Sequence, residues 1–327
     1  MEEETGDDIG SFSPPAAEMG GRTVGSVREM VAATALLDGS FGPFAVLDGG
    51  LSTALEELGE RPAGVLWTAH TLLERPEVVT AAHRSAVDAG ADLVISSSYQ
   101  ASEEGFVAAG LDATAARRLL GSTTEVARRS GARLVACSVG PYGAFRADGS
   151  EYHGRYDATW DEVRAFHRRR LEVLVDSGPD LFAIETMPSA AEAQIVVDEL
   201  RRRTDASAWV SFTCRDESST SAGDEFALAV EAVRGGVQLV GVNCTAPHHV
   251  QPLLRSLGGS VPAVVYPNHG GVWDATTKCW TDPSLGAGLV DLAPLWVESG
   301  AVAIGGCCGV GTDGVAALAQ LRNRMRS

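Results

Sequence analysis

The chain has 327 residues, of which 45% are hydrophobic and 21% charged, and its formal charge is −17. That length suits two ordinary domains or one large α/β barrel, and so acidic a balance argues against a nucleic-acid surface. No stretch approaches the roughly 18 apolar residues of a membrane span, and the acidic N-terminus lacks the basic start and apolar core of a signal peptide.

Residues 1–25 are acidic and rich in Gly, Ser and Pro, which predicts a disordered leader. From about residue 40 to 327 no linker or second low-complexity stretch intervenes, so one domain is expected. Its body alternates short apolar runs with amphipathic segments. Strands are predicted over 44–47, 92–96, 133–138, 181–184, 208–212, 238–242, 263–266 and 301–304. Helices are predicted over 77–89, 113–130, 160–177, 190–203, 226–234, 289–299 and 314–324. Runs such as Leu239-Val240-Gly241-Val242 are apolar on both faces, as a parallel sheet covered by helices requires. Eight strands alternating with helices predict a single-domain (β/α)8 barrel of the TIM type. A doubly wound open sheet is the alternative, but Asp48-Gly49-Gly50-Leu51-Ser52 lacks the G-x-G-x-x-G spacing of a dinucleotide fold.

In such a barrel the active site lies where strand C-termini open into loops. The unusual polar residues fall at those ends: Asp48, Ser98-Tyr99-Gln100, Glu185, Cys244, Asn268 and Cys307-Cys308. The vicinal pair stands in Gly305-Gly306-Cys307-Cys308-Gly309, where the glycines let the backbone bend until both sulfurs reach one point. Strands six and eight are not neighbours, but both rim the same mouth, so Cys244 can meet the pair there. Three converging thiolates make a soft-metal site, and zinc suits them. Three protein ligands leave a fourth position open, the mark of a catalytic site. The competing readings are buried apolar cysteines and a redox-active vicinal pair; a disulfide between adjacent residues is strained, because their Cα atoms are about 3.8 Å apart.

Six cysteines without framework spacing argue against a disulfide scaffold and fit a reducing cytoplasm. Cys137, Cys214 and Cys279 read as core or loop residues. His248, His249 and His269 are weighed as ligands and stand behind the three thiolates. Asp48 and Glu185 are carboxylates at the barrel mouth, able to hold a cationic group through charge-assisted hydrogen bonds, against the plainer reading of solvated loop acids. Asn268 is a candidate for the fourth metal position through its oxygen, or else a turn residue after Pro267. Trp273 and Trp280 suggest an aromatic lid able to stack on a cation.

The stretches Leu47-Asp48-Gly49-Gly50, Ser97-Ser98-Tyr99-Gln100-Ala101-Ser102 and Ser138-Val139-Gly140-Pro141-Tyr142-Gly143-Ala144 carry a resemblance. So do Ala147-Asp148-Gly149-Ser150-Glu151-Tyr152, Glu185-Thr186-Met187-Pro188, Gly241-Val242-Asn243-Cys244-Thr245, Tyr266-Pro267-Asn268 and the Gly-Gly-Cys-Cys-Gly run. Through them the chain resembles the zinc-dependent homocysteine S-methyltransferase family, whose donors include S-methylmethionine. The resemblance implies a (β/α)8 barrel and one zinc ion per chain, held by Cys244, Cys307, Cys308 and the substrate thiolate. It implies methyl transfer from a sulfonium donor, S-methylmethionine or S-adenosylmethionine, to L-homocysteine, forming L-methionine. The implied partners are small molecules, not nucleic acid or membrane. Glu185 would take the substrate ammonium, Asp48 and Gly49 would lie against homocysteine, and Tyr99 and Gln100 would line the donor side. Gln100 falls where betaine-using relatives carry a tyrosine that approaches the zinc, which disfavours betaine. A betaine donor, a barrel working with a separate methyl-corrinoid protein, and a non-catalytic zinc-holding barrel are the alternatives.

Overall fold

Alternate residues of a strand face opposite sides, so each buried strand must satisfy two different surroundings. In the computed structural model, which describes residues 27–60, 66–259, 261–274, 279–281 and 288–326, those surroundings are a barrel interior and a sleeve of helices. The strands are β1 (Ala45–Val46), β2 (Leu93–Ile95), β3 (Leu134–Val139), β4 (Leu181–Met187), β5 (Ala208–Phe212), β6 (Leu239–Asn243), β7 (Ala263–Tyr266), β8 (Val272–Asp274), β9 (Cys279–Thr281) and β10 (Ala301–Ile304). Eight of them pair in parallel in the order β1-β10-β7-β6-β5-β4-β3-β2. A parallel bridge between Leu47 and Leu93 joins the two ends of that order. The predicted TIM-type barrel is therefore present, and all eight predicted strands are found with ends shifted by a few residues.

The helices are α1 (Val27–Leu37), α2 (Leu51–Glu57), α3 (Thr68–Glu74), α4 (Pro76–Asp88), α5 (Glu103–Ala108), α6 (Ala113–Arg128), α7 (Tyr142–Arg146), α8 (Trp160–Asp176), α9 (Ala190–Arg201), α10 (Phe226–Arg234), α11 (Pro247–Ser256), α12 (Leu289–Glu298) and α13 (Thr312–Arg326). Several start where a side chain satisfies the free N–H groups of the first turn. Ser102, Asp112 and Ser189 cap α5, α6 and α9, and Thr159 and Glu162 form a reciprocal capping box on α8.

The inward set includes Leu47, Leu93, Ala136, Leu181, Ala183, Trp209, Leu239, Val264 and Ala303. Their outward neighbours Phe182, Ile184, Val210, Phe212, Val240, Val242, Val265 and Ile304 pack against the helices. Helix α1 was not predicted. Its Ala32 and Leu36, with Phe41, belong to the interior cluster, so it closes the barrel end opposite the strand C-termini, and the ordered fold begins before residue 40. The leader, residues 1–25, lies outside the described residues. The segment expected as an aromatic lid begins and ends as an antiparallel hairpin, β8 with β9, in which Trp273 pairs with Trp280. Residues 275–278 between its strands lie outside the described residues.

Candidate metal centre and its surroundings

The C-terminal strand ends bring three of the predicted side chains to one point. The Cys244 and Cys308 sulfurs are 3.7 Å apart and those of Cys307 and Cys308 are 4.0 Å apart. All three lie within 4.8 Å of one another. Cys244 is buried, and the vicinal pair is partly exposed. The backbone holds the cluster from several strands at once. Cys244 N–H donates to the Tyr266 carbonyl, Cys307 N–H to the Pro267 carbonyl, and Gly306 N–H to the Asp48 carbonyl. The glycines serve two purposes. Gly309 turns the chain at φ +76, whereas a Cβ on Gly306 would stand 2.1 Å from the Val310 side chain. One therefore supplies a turn and the other a close approach.

Cys244 itself sits at φ +47 and Thr186, at the end of β4, at φ +58. Left-handed geometry costs a residue with a Cβ roughly 1–2 kcal/mol, so both must be held from outside. Asn243 holds Thr186 directly. Its Oδ1 accepts from the Thr186 N–H at 2.8 Å, and its Nδ2 donates to the Thr186 hydroxyl at 2.7 Å. Within the sulfur cluster, hydrogen bonds from Cys244 and then Cys307 hold the Cys308 thiol well below its ordinary range. Donation to Cys244 and Cys308, with burial, pushes the Cys307 thiol up. Three such sulfurs share negative charge poorly without a cation, which is the chemistry of a metal site.

Glu185 faces inward on β4 and is buried. The Ser138 hydroxyl on β3 donates to its Oε1. Burial raises Glu185 to about 7, opposed by the Ser138 and Tyr266 hydroxyls. Asp48 is also buried; Ile95 N–H donates to its Oδ2 at 2.9 Å, and His83 Nδ1 lies 3.9 Å from the same oxygen. Burial lifts Asp48 well above its ordinary range, the Ile95 bond opposes it, and the Glu185 charge adds to it. The two predicted carboxylates thus feel one another across the mouth.

Tyr99 is brought to the same space. Burial pushes its hydroxyl up, and the charges of Glu151, Cys244 and Glu185 add to that. The buried Arg170 guanidinium fixes the backbone behind it, donating to the carbonyls of Ser98, Tyr99 (2.7 Å) and Gly140 (2.9 Å). Gln100 is tied sideways, its Nε2 donating to the Ala144 carbonyl at 3.1 Å. Asn268 Oδ1 accepts from Gly270 N–H at 2.9 Å, the geometry of a turn residue. The His248 and His249 rings meet at a tilt, 4.0 Å between centroids, and stand outside the sulfur cluster. His269 Nδ1 accepts from Gly271 N–H at 3.0 Å. Cys137 and Cys214 are buried away from the cluster.

Four contributors had no assigned role in the sequence reading: Ser138, Arg170, Asn243 and the pair Glu151-Tyr152. The Tyr152 hydroxyl lies 3.9 Å from the Cys244 sulfur. Burial raises Glu151 to about 7. The sequence signal for the pair was the stretch 147–152, and for Asn243 the stretch 241–245.

The profile of the homocysteine S-methyltransferase family matches residues 45–322. A homocysteine S-methyltransferase of Escherichia coli is 41% identical over 289 residues, covering 84% of this chain and 93% of that protein. One of Bacillus subtilis is 36% identical, covering 87% of this chain and 96% of its own length. The crystal structure of the homocysteine methyltransferase MmuM from Escherichia coli in its metallated form superposes with a TM-score of 0.75 at 38% identity, covering 89% of this chain and 98% of that one.

Proposed function

The chain belongs to the homocysteine S-methyltransferase family, and on that premise we propose how its own residues carry methyl transfer to homocysteine. Cys244, Cys307 and Cys308 hold one zinc ion, and the methyl donor is a sulfonium, S-methylmethionine before S-adenosylmethionine. The observation that carries this reading is the sulfur triangle. Ligand sulfurs about 2.3 Å from a tetrahedral centre stand about 3.8 Å from one another, and the separations of 3.7 and 4.0 Å support that fit. Zinc bound there would keep the homocysteine sulfur ionised at neutral pH, where a free thiol is mostly protonated.

Glu185 receives the homocysteine ammonium, and the Ser138 hydroxyl orients the carboxylate. Burial alone favours the neutral acid, so the arriving ammonium supplies the countercharge that keeps Glu185 ionised. Asp48 and the Gly49 backbone lie against the same substrate, and Tyr99 with Gln100 lines the donor side. The homocysteine sulfur forms the new S–CH3 bond as the donor's S–CH3 bond breaks, and that electron pair stays on the departing thioether. A cationic donor suits a site with three thiolates and several carboxyls around it. No helix among the described residues is long and apolar enough to cross a membrane; a cytoplasmic enzyme of small-molecule substrates is the reading that a reduced thiolate site supports.

The test is methionine formation by the zinc-loaded protein from homocysteine with S-methylmethionine, S-adenosylmethionine and betaine supplied separately. Product with S-methylmethionine that a chelator abolishes is expected. Product with betaine alone, or product indifferent to the chelator, would overturn the donor and the metal respectively.

A further inference from the structure

After β3 the chain leaves the barrel through Gly140 and Pro141, runs along α7, and then reverses. Ala147 at φ +53 and Gly149 at φ +85 make that reversal, which ends in a 3-10 turn, Ser150–Tyr152. The turn lies directly on α7, since a Cβ on Gly143 would stand 2.3 Å from the Glu151 backbone nitrogen. One buried carboxylate fixes both ends of the loop. Glu192 accepts from the Tyr142 N–H and from the Tyr156 hydroxyl, each at 2.5 Å, and meets His167 Nε2 at 3.0 Å.

This construction delivers two groups to the metal centre that the centre itself does not use. The Tyr152 hydroxyl lies 3.9 Å from the Cys244 sulfur, and the residue as a whole is 42% exposed, so a ligand arriving beside the sulfurs can reach it. Glu151 Oε2 is shielded from solvent and has no hydrogen-bond partner among the described residues. A buried carboxylate oxygen without a partner is costly and is matched by a cation arriving from outside.

We propose that Glu151 and Tyr152 form the donor subsite and select an α-amino sulfonium acid. This rests on the methyl-transfer reading above. The reacting methyl group must lie next to the homocysteine sulfur, so the sulfonium comes to the Tyr152 ring, where its charge meets the aromatic face. Glu151, one residue back on the turn, receives the donor's α-ammonium. Transfer converts the sulfonium into a neutral thioether, which removes the ring's attraction and favours release of the spent donor.

The experiment is steady-state kinetics of Glu151→Gln, Tyr152→Phe and Tyr152→Leu, with bound zinc and the homocysteine KM measured alongside. S-Methylmethionine binding without homocysteine is followed by calorimetry. Glu151→Gln should raise the S-methylmethionine KM and Kd about tenfold, as loss of one charge-assisted bond does. Tyr152→Leu should raise them about fivefold, and Tyr152→Phe, which keeps the ring, by clearly less, because the ring rather than the hydroxyl makes the contact. A dimethylsulfonium acid lacking the amino group should feel Tyr152→Leu but not Glu151→Gln. S-Adenosylmethionine, tested in parallel, shows which of the two donors the subsite serves. Unchanged donor constants in an active Glu151→Gln enzyme, or equal losses for donor and homocysteine, would overturn the assignment alone. No methionine from the wild type with any sulfonium would overturn the methyl-transfer reading and this one together.

Discussion

Cys244, Cys307 and Cys308 share their chemistry with Cys137 and Cys214; what sets them apart is that the backbone aims their sulfurs at one point. Alanine at any of the three should therefore reduce bound zinc well below one per chain by elemental analysis. Methionine formation should fall by more than about a hundredfold, since even outer residues of metal sites cost up to that much. Cys137→Ala should keep its zinc. Glu185→Gln should leave zinc in place and raise the homocysteine KM about tenfold, the loss of one ionic hydrogen bond. The same residue sets a pH dependence. Burial holds Glu185 at about 7, above its ordinary value, so its carboxylate is lost as pH falls through 7. The homocysteine KM should rise from pH 8 to pH 6 in the wild type, and that rise should vanish in Glu185→Gln. A pH profile unchanged by the substitution would place the titrating group elsewhere.

At the scale of elements, the barrel strands announce themselves as apolar runs, and the long helices by their 3.6-residue period. The short helices α2, α5 and α7 span only 5 to 7 residues, too few for a period to show. They matter because they shape the mouth. Strand ends matter too, because Thr186, next to last in β4, and Cys244, just after β6, are left-handed, with Asn243 as the tie. Asn243→Ala leaves the Thr186 N–H and hydroxyl without their buried partner, a loss of about 2 kcal/mol. A lower denaturant midpoint is expected, together with about tenfold faster loss of zinc to a competing chelator. Wild-type zinc retention would show that Cys244 keeps its position without Asn243.

For the whole molecule, the two barrel ends divide the work. The strand C-termini carry the sulfur cluster and carboxylates, while α1 seals the opposite end with Ala32 and Leu36. Conserving function at one end and stability at the other is the general logic of this fold. Leu36→Ala should therefore destabilise the protein by roughly 2–4 kcal/mol, measured by chemical unfolding, while KM for both substrates stays at wild-type values. A changed homocysteine KM would mean that the two ends are coupled.

The sequence by itself determined the barrel and which cysteines and carboxylates gather at its mouth. Apolar periodicity sets where strands lie, and in a barrel each strand's C-terminal end is forced to the same rim, so Asp48, Glu185, Cys244 and the vicinal pair converge by topology alone. Only the tertiary structure decided what completes the site. Tyr152 reaches Cys244, with Glu151 one residue back, because a loop folds back on Gly143 and is fixed at both ends by Glu192, a residue of a different helix. Ser138 meets Glu185, and Asn243 meets Thr186, through the register between strands. Pairings across the barrel depend on side-chain positions that no one-dimensional spacing records, whereas strand order and strand ends leave their mark on the chain itself.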